Sequence, residues 1–439
     1  MGPRYPLEIP AGSPFPVQNI PYGVFSTPDG VGLGSKKRAG VAVGSYVLEL
    51  DLLVKAGLFD SCGVDNKLDG VFLQPNLNSF ATFLTTERGH IRAAIIKHLT
   101  TQSSPLFENK ELNDRAFIPL EQVQMHLPMS ITDYTDFFSS LVHAENGCRS
   151  LNIPIPQAFW EYPMAYNGRI GSVAISGTDV VRPHGFFKPR SSDKTALHPS
   201  ELLDFEIEMG AFVSKPVNMG EKVSAMTASE HIFGYVLLND WSARDIQGYE
   251  MSPFGPFHSK SFLTSISPWV VTLDALRGSP TEPPPTHASI VSPTLDLDRK
   301  DHGLFDVDLS ARVSRKGGEV VELARCKMAD GYWTPYQHVA YQSSSGCGLH
   351  TGDLLGTGTF SSPDMRSAQG PDEKSFMTFG CLMEAHIVGH KLPDVDGRPF
   401  TFLEDGDRLT IDGWFRTPDG SKAGFGGVTG LVLPPIAIS

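Results

Sequence analysis

Proline and glycine interrupt this chain so often, 34 and 43 times in 439 residues, that long unbroken helices have little room to run. Between the breaks, apolar residues alternate with polar ones or form short β-branched runs. Examples are Gly40-Val41-Ala42-Val43, Ser172-Val173-Ala174-Ile175, Pro268-Trp269-Val270-Val271, Asp306-Val307-Asp308-Leu309-Ser310 and Arg408-Leu409-Thr410-Ile411. This pattern predicts a mostly-β (α+β) protein with a few helices. One helix is expected over residues 87–99, with Ile91, Ala94, Ile95, His98 and Leu99 at helical spacing. A second is expected over 133–144, where Thr132 and Asp133 are acceptable N-caps. A domain boundary is expected near Leu127-Pro128-Met129, dividing 1–128 from 129–439, and 278–287 and 361–374 read as surface loops.

The balance of 40% apolar and 19% charged residues is that of a soluble globular protein. A formal charge of −13 argues against nucleic acid or an anionic membrane as a partner. It leaves room for an anionic small molecule, because a local cluster of Arg and Lys can oppose the global sign. The first residues lack the apolar core of a secretion signal, Pro6 breaks a myristoylation pattern, and no stretch has the length of a membrane span. Cys62, Cys148, Cys326, Cys347 and Cys381 show no metal-binding or disulfide spacing, so a cytoplasmic protein is expected.

Chemistry concentrates in a few stretches. On a strand, Leu203-Asp204-Phe205-Glu206-Ile207-Glu208-Met209 places Glu206 and Glu208 on one face and Phe205, Ile207 and Met209 on the other. Two adjacent carboxylates repel, and a hard cation such as Mg²⁺ or Ca²⁺ relieves the repulsion. The plainer alternative is an edge strand with a solvated acidic face. If 133–144 is helical, Asp136 and His143 share a face about 10 Å apart along the axis. They would then grip a small substrate from two ends, with His143 as a base. The alternative there is a surface histidine on a polar stripe. Asn239-Asp240-Trp241-Ser242-Ala243-Arg244-Asp245-Ile246-Gln247 reads as a strand end, a turn and a short helix. It would present Asp240 at the strand end, with Arg244 and Gln247 on one helical face. A helix cap and an ordinary salt bridge are the alternatives. Lys260 and Thr264 follow. Glu384, in the apolar Gly380-Cys381-Leu382-Met383-Glu384-Ala385-His386-Ile387, reads as a strand carboxylate that needs a buried partner, with His143 a candidate.

In chain order these stretches resemble the fumarylacetoacetate hydrolase family, in its long two-domain form. The agreement runs from residues 15–27 through 125–136, Ser176-Gly177-Thr178, 203–209 and 231–247. It resumes from Gly255-Pro256-Phe257 to Trp269, then at Gly352-Asp353-Leu354-Leu355, Gly358-Thr359 and Gly424-Phe425-Gly426. The resemblance implies an N-terminal SH3-like barrel, then a C-terminal mixed β-sandwich roll that dimerises as a homodimer. It implies Asp136, Glu206, Glu208 and Asp240 as metal carboxylates, with Lys260 and Thr264 beside the ion. It further implies His143 as the base for water, held by Glu384, with Arg244, Gln247 and Lys260 as oxyanion donors. Phe138, Arg149, Tyr166, Met251 and Thr359 fall at positions that contact substrate.

The implied activity is hydrolysis of a carbon–carbon bond in a small acidic diketone, fumarylacetoacetate, in tyrosine and phenylalanine breakdown. Phe138 and Met251 stand where family members carry substrate-binding tyrosines. A different β-diketo or β-keto acid, or a decarboxylation, is therefore the alternative. A catalytically dead scaffold is a third reading, opposed by the four carboxylates expected to converge.

Overall fold

The alternation in the sequence becomes three large sheets and three two-stranded ribbons in a computed structural model that describes residues 2–30, 32–64, 67–285, 290–363 and 376–437. The first sheet is antiparallel, in the order Phe117–Pro119, Tyr46–Glu49, Arg38–Val43, Tyr22–Ser26, Gln124–His126. The helix Thr85–Thr100 packs beside it through Ile91, Ala94, Ile95 and Leu99, which matches the helix expected over 87–99. A second, eight-stranded mixed sheet runs Ala165–Asn167, Tyr134–Phe137, Leu354–Gly356, Ile207–Val213, Ile232–Asp240, Thr264–Ile266, Val173–Ile175, and Val271–Thr272 also pairs with Ile232–Asp240. The third is built around the long antiparallel strands Val320–Lys327, Asp308–Arg315, Asp407–Arg416 and Val428–Leu433.

The eight-stranded sheet lies between two apolar layers, and strand parity assigns its side chains to one or the other. Along Ile207–Val213, residues Ile207, Met209, Ala211 and Val213 enter the core shared with Leu309, Ala311, Ile411 and Val428 of the third sheet. On the opposite face Phe212, Val236, Leu238, Ile266 and Leu354 enter the core shared with Val24, Val41 and Leu48 of the first sheet. Both faces are therefore covered. This excludes the solvated acidic face weighed for Glu206 and Glu208, which are 4% and 0% exposed.

Two local expectations are corrected. Residues 133–144 do not form one helix. Tyr134–Phe137 is a strand, paired in parallel with Leu354–Gly356 and antiparallel with Ala165–Asn167. The helix begins only at Leu141, because the Ser140 hydroxyl caps it by accepting from the His143 backbone N–H at 3.3 Å. Aromatic and β-branched Tyr134, Thr135 and Phe137 favour the strand. Conversely, Glu384 sits not on a strand but on the helix Leu382–Val388, which ends at Gly389 with φ 68°. Its buried Leu382 and Ala385 are three apart, a helical spacing hidden in a short apolar run. Of the two expected loops, 278–285 carries no helix or strand. Residues 286–287 and 364–374 lie outside the described residues.

Candidate active site

The carboxylates arise where the layer facing the first sheet runs out of apolar residues. Asp136 shares a face with Tyr134, Asp240 with Val236 and Leu238, Thr264 with Ile266, and Glu208 with Phe212, while Glu206 stands just before that last strand begins. Four strands thus bring one end of one face to a point. One carboxylate oxygen from each of Asp136, Glu206, Glu208 and Asp240 lies within 4.8 Å of the others, all four residues buried. Gly358 permits the approach from the fifth side. Its N–H donates to Glu208 Oε2 at 3.1 Å, and a Cβ there would meet the Phe137 carbonyl at 2.0 Å.

Two cations answer this charge. The Lys260 ammonium donates to Glu206 Oε2 and, at 2.7 Å, to Asp240 Oδ2. Arg244 pairs with Glu206 Oε1 at 2.8 Å, with Asp204 Oδ2 at 2.8 Å, and donates to Gln247 Oε1 at 2.9 Å. Asp240 also accepts from the Tyr166 hydroxyl at 2.9 Å and from Thr264 Oγ1 at 3.2 Å. Burial opposes ionisation of Glu206, but Lys260 and then Arg244 outweigh it and hold the carboxyl below its usual range. Burial and the adjacent Asp240 push Asp136 far up, and burial with Asp136 does the same to Glu208. Asp240 is raised by burial, against the pull of Lys260.

Lys260 cancels one of the four charges, and Arg244, shared with Asp204, cancels no more than another. Asp136 Oδ1 and Glu208 Oε1 are buried and lack any hydrogen-bond partner. Two uncompensated charges and two orphaned carboxylate oxygens fit a divalent cation, and a donor set made only of oxygen fits a hard one.

Beside the carboxylates, His143 Nδ1 lies 2.6 Å from Glu384 Oε1, across 241 positions of sequence. Glu384 is fully buried and held further by Asn146 Nδ2 at 2.8 Å and Ser361 Oγ at 2.6 Å. Burial works against its charge, yet His143 and these hydrogen bonds keep it below the usual carboxylate range, so it remains ionised. An ionised carboxylate only accepts, so Nδ1 carries a proton toward Glu384, and it is Nε2 that the neutral ring offers as an acceptor. Cys381 Sγ stands 3.4 Å from the same Oε1. Thr359 is buried with its hydroxyl unpartnered, and Phe138 packs edge-on against His143 at 5.3 Å between ring centres.

Not every expected residue converges. Arg149 is exposed, further along the helix that carries His143, and Met251 is 45% exposed at the end of the helix Arg244–Glu250. A cleft of about 140 Å³ reaches Tyr166 and Lys260, with Arg169, Phe257 and Ser261 on its walls. Asp204, Asn146, Ser361 and Cys381 escaped sequence reasoning. Asp204 and Cys381 stand in the stretches that carry the glutamates but have no signal of their own there.

The family model described as fumarylacetoacetase N-terminal matches residues 18–128, and that described as fumarylacetoacetate (FAA) hydrolase C-terminal matches 134–426. The fumarylacetoacetase of Arabidopsis thaliana is 39% identical over 436 residues, covering 98% of both chains. The chain belongs to the fumarylacetoacetase family. The fumarylacetoacetases of Caenorhabditis elegans and Rattus norvegicus are each 38% identical, over 98% of this chain and 98% and 99% of theirs. Membership in the fumarylacetoacetase family thus extends over both units, and the carboxylate cluster and the His143–Glu384 pair lie within its C-terminal part.

Proposed function

We propose that this protein hydrolyses fumarylacetoacetate to fumarate and acetoacetate, and that the residues gathered above carry the reaction. The observation that supports it most directly is the His143–Glu384 pair set beside four buried carboxylates. Asp136, Glu206, Glu208 and Asp240 would hold a Mg²⁺ or Ca²⁺ ion, with Lys260 and Thr264 beside it. When bound, that ion polarises the diketone oxygens and withdraws charge as the carbon–carbon bond breaks.

The chain's own groups do the rest. His143 Nε2 takes a proton from the attacking water, and Glu384 holds the ring in the required tautomer and stabilises its charged form. Arg244, Lys260 and Gln247 face the carbonyl oxygen on which charge develops, as donors already fixed in place. Tyr166 and Thr359 supply hydroxyls to the substrate, while Phe138, Arg149 and Met251 line its outer reaches.

The same reading includes a homodimer working in the cytoplasm. It also takes 1–128 as an SH3-like barrel and 129–439 as a β-sandwich roll. The division has support in the two matched spans, which meet between residues 128 and 134. Among the described residues, no helix is long and apolar enough to cross a membrane.

The test is turnover of fumarylacetoacetate, followed by loss of its ultraviolet absorbance, with Mg²⁺ or Ca²⁺ and again after chelation. His143→Ala should lower kcat by at least about 100-fold, the lower end of what a positioned general base contributes. A folded, cation-loaded protein that leaves the substrate intact would overturn the proposal.

A further inference from the structure

Asp204 has no part in the chemistry just described, yet it touches both halves of the machinery. It is fully buried, and its carboxylate accepts four hydrogen bonds. Oδ1 accepts from the backbone N–H groups of Phe205 and Leu382, each at 2.8 Å. Oδ2 accepts from Met383 N–H at 2.9 Å and from Arg244 Nε at 2.8 Å.

The contacts with Leu382 and Met383 close the start of the helix Leu382–Val388. That helix has no cap of its own, since Cys381 makes no capping hydrogen bond. Glu384 is its third residue, so any rotation of the first turn carries the Glu384 carboxylate away from His143. The contact with Arg244 fixes the guanidinium that also meets Glu206 and Gln247. Strand pairing explains the placement. Asp204 lies opposite Ser242, Leu203 opposite Ala243, and Arg244 N–H donates to Leu202 at 3.0 Å, so the arginine emerges beside the aspartate.

We infer that Asp204 is a positioning residue that sets Arg244 and the Glu384 helix in mutual register, so that the base and the oxyanion donor address one substrate together. This rests on the roles proposed for Arg244 and Glu384. Asparagine has nearly the same shape, but its amide nitrogen turns a donor toward donors and cannot accept all four bonds.

The experiment measures kcat and KM for wild type, Asp204→Asn, Arg244→Lys and the double variant, with saturating Mg²⁺ or Ca²⁺. Asp204→Asn should lower kcat by about 10- to 100-fold, the scale of a misplacement near 1 Å, with KM within about threefold of wild type. Its penalty should shrink in the Arg244→Lys background, because part of it acts through that arginine. Full activity in Asp204→Asn, a change in KM alone, or penalties that simply multiply would overturn the inference. Should Asp204→Asn fail to fold, Asp204→Glu keeps the charge but moves it outward by one methylene. A folded Asp204→Glu with wild-type kcat would overturn the inference equally. Wild-type turnover and its loss in His143→Ala, measured in the same assay, test the proposed function separately.

Discussion

Replacing Lys260 by Met removes one positive charge from between Glu206 and Asp240 without removing its bulk. The ammonium lies 2.7 Å from Asp240 Oδ2, a gross attraction of about 6 kcal/mol at an effective dielectric constant of about 20. The net loss is smaller, because burying the lysine is itself costly and because the variant has an escape: Glu206 can take up a proton. The ordinary value for this carboxyl is 4.5, so protonation at pH 7 costs about 3.4 kcal/mol, two and a half pH units at about 1.36 kcal/mol each. That figure bounds the share of the destabilisation that comes from leaving Glu206 unpaired. At pH 5.5 the bound falls to about 1.4 kcal/mol. The sign follows from linkage: in the variant the folded state binds more protons than the unfolded one, so its deficit grows as pH rises. Urea unfolding of wild type and Lys260→Met in chelator, at both pH values, measures it directly. Saturating Mg²⁺ or Ca²⁺ should then narrow the gap, because a cluster short of one positive charge binds the cation more tightly than wild type does. An equal deficit at the two pH values, a larger one at pH 5.5, or none at pH 7 would refute this electrostatic account of the cluster.

Glu384→Gln should fold yet lose at least about 100-fold in kcat, because a neutral amide neither fixes the His143 tautomer nor stabilises the charged ring; steady-state kinetics with a melting curve checks both halves. Phe138→Tyr adds a hydroxyl beside His143 and should lower KM for fumarylacetoacetate by about fivefold, one hydrogen bond of roughly 1 kcal/mol, readable from initial rates. His338 is buried, stacked on Phe137 at 4.0 Å, with Nε2 2.8 Å from Ser139 Oγ, and burial alone pulls its ring from 6.5 down to about 3. A histidine held neutral contributes stability that is lost as pH falls through 6.5 toward 3, here about 5 kcal/mol in all. Unfolding of His338→Gln should therefore depend less on acid than wild type over that window.

Where the chemistry depends on neighbours in sequence, it was legible. Asp240 ends a strand, and Arg244 and Gln247 lie three apart on a helix, as local spacing predicts, while the strand expected over 203–209 is broken at Phe205 and Glu206, so that only Glu208 lies within Ile207–Val213. Elements defined by distant partners were misread. The Tyr134–Phe137 strand is held on one edge by residues more than 200 positions away, and the Leu382–Val388 helix is capped by Asp204, so neither carries its deciding signal locally. The aspartate shows why a site can be recognised while its supports stay hidden. Its four donors come from three separated stretches of chain, and no periodicity records such a meeting.

The apolar layer that unites the first sheet with the back of the eight-stranded one bears on how this enzyme can be shortened. Tyr22 and Val270 exchange backbone hydrogen bonds at 3.0 and 2.7 Å, and Phe212, Phe233, Val236, Leu238 and Ile266 are roofed by the N-terminal residues. A trimmed chain starting near residue 129 would keep every carboxylate and the whole histidine pair. It would also bare a sheet of large hydrophobic side chains next to them, a surface prone to aggregation. The first 128 residues contribute none of the proposed catalytic groups, yet they are the lid on the enzyme's stickiest surface, and a minimal version would need a substitute covering before it could stay in solution.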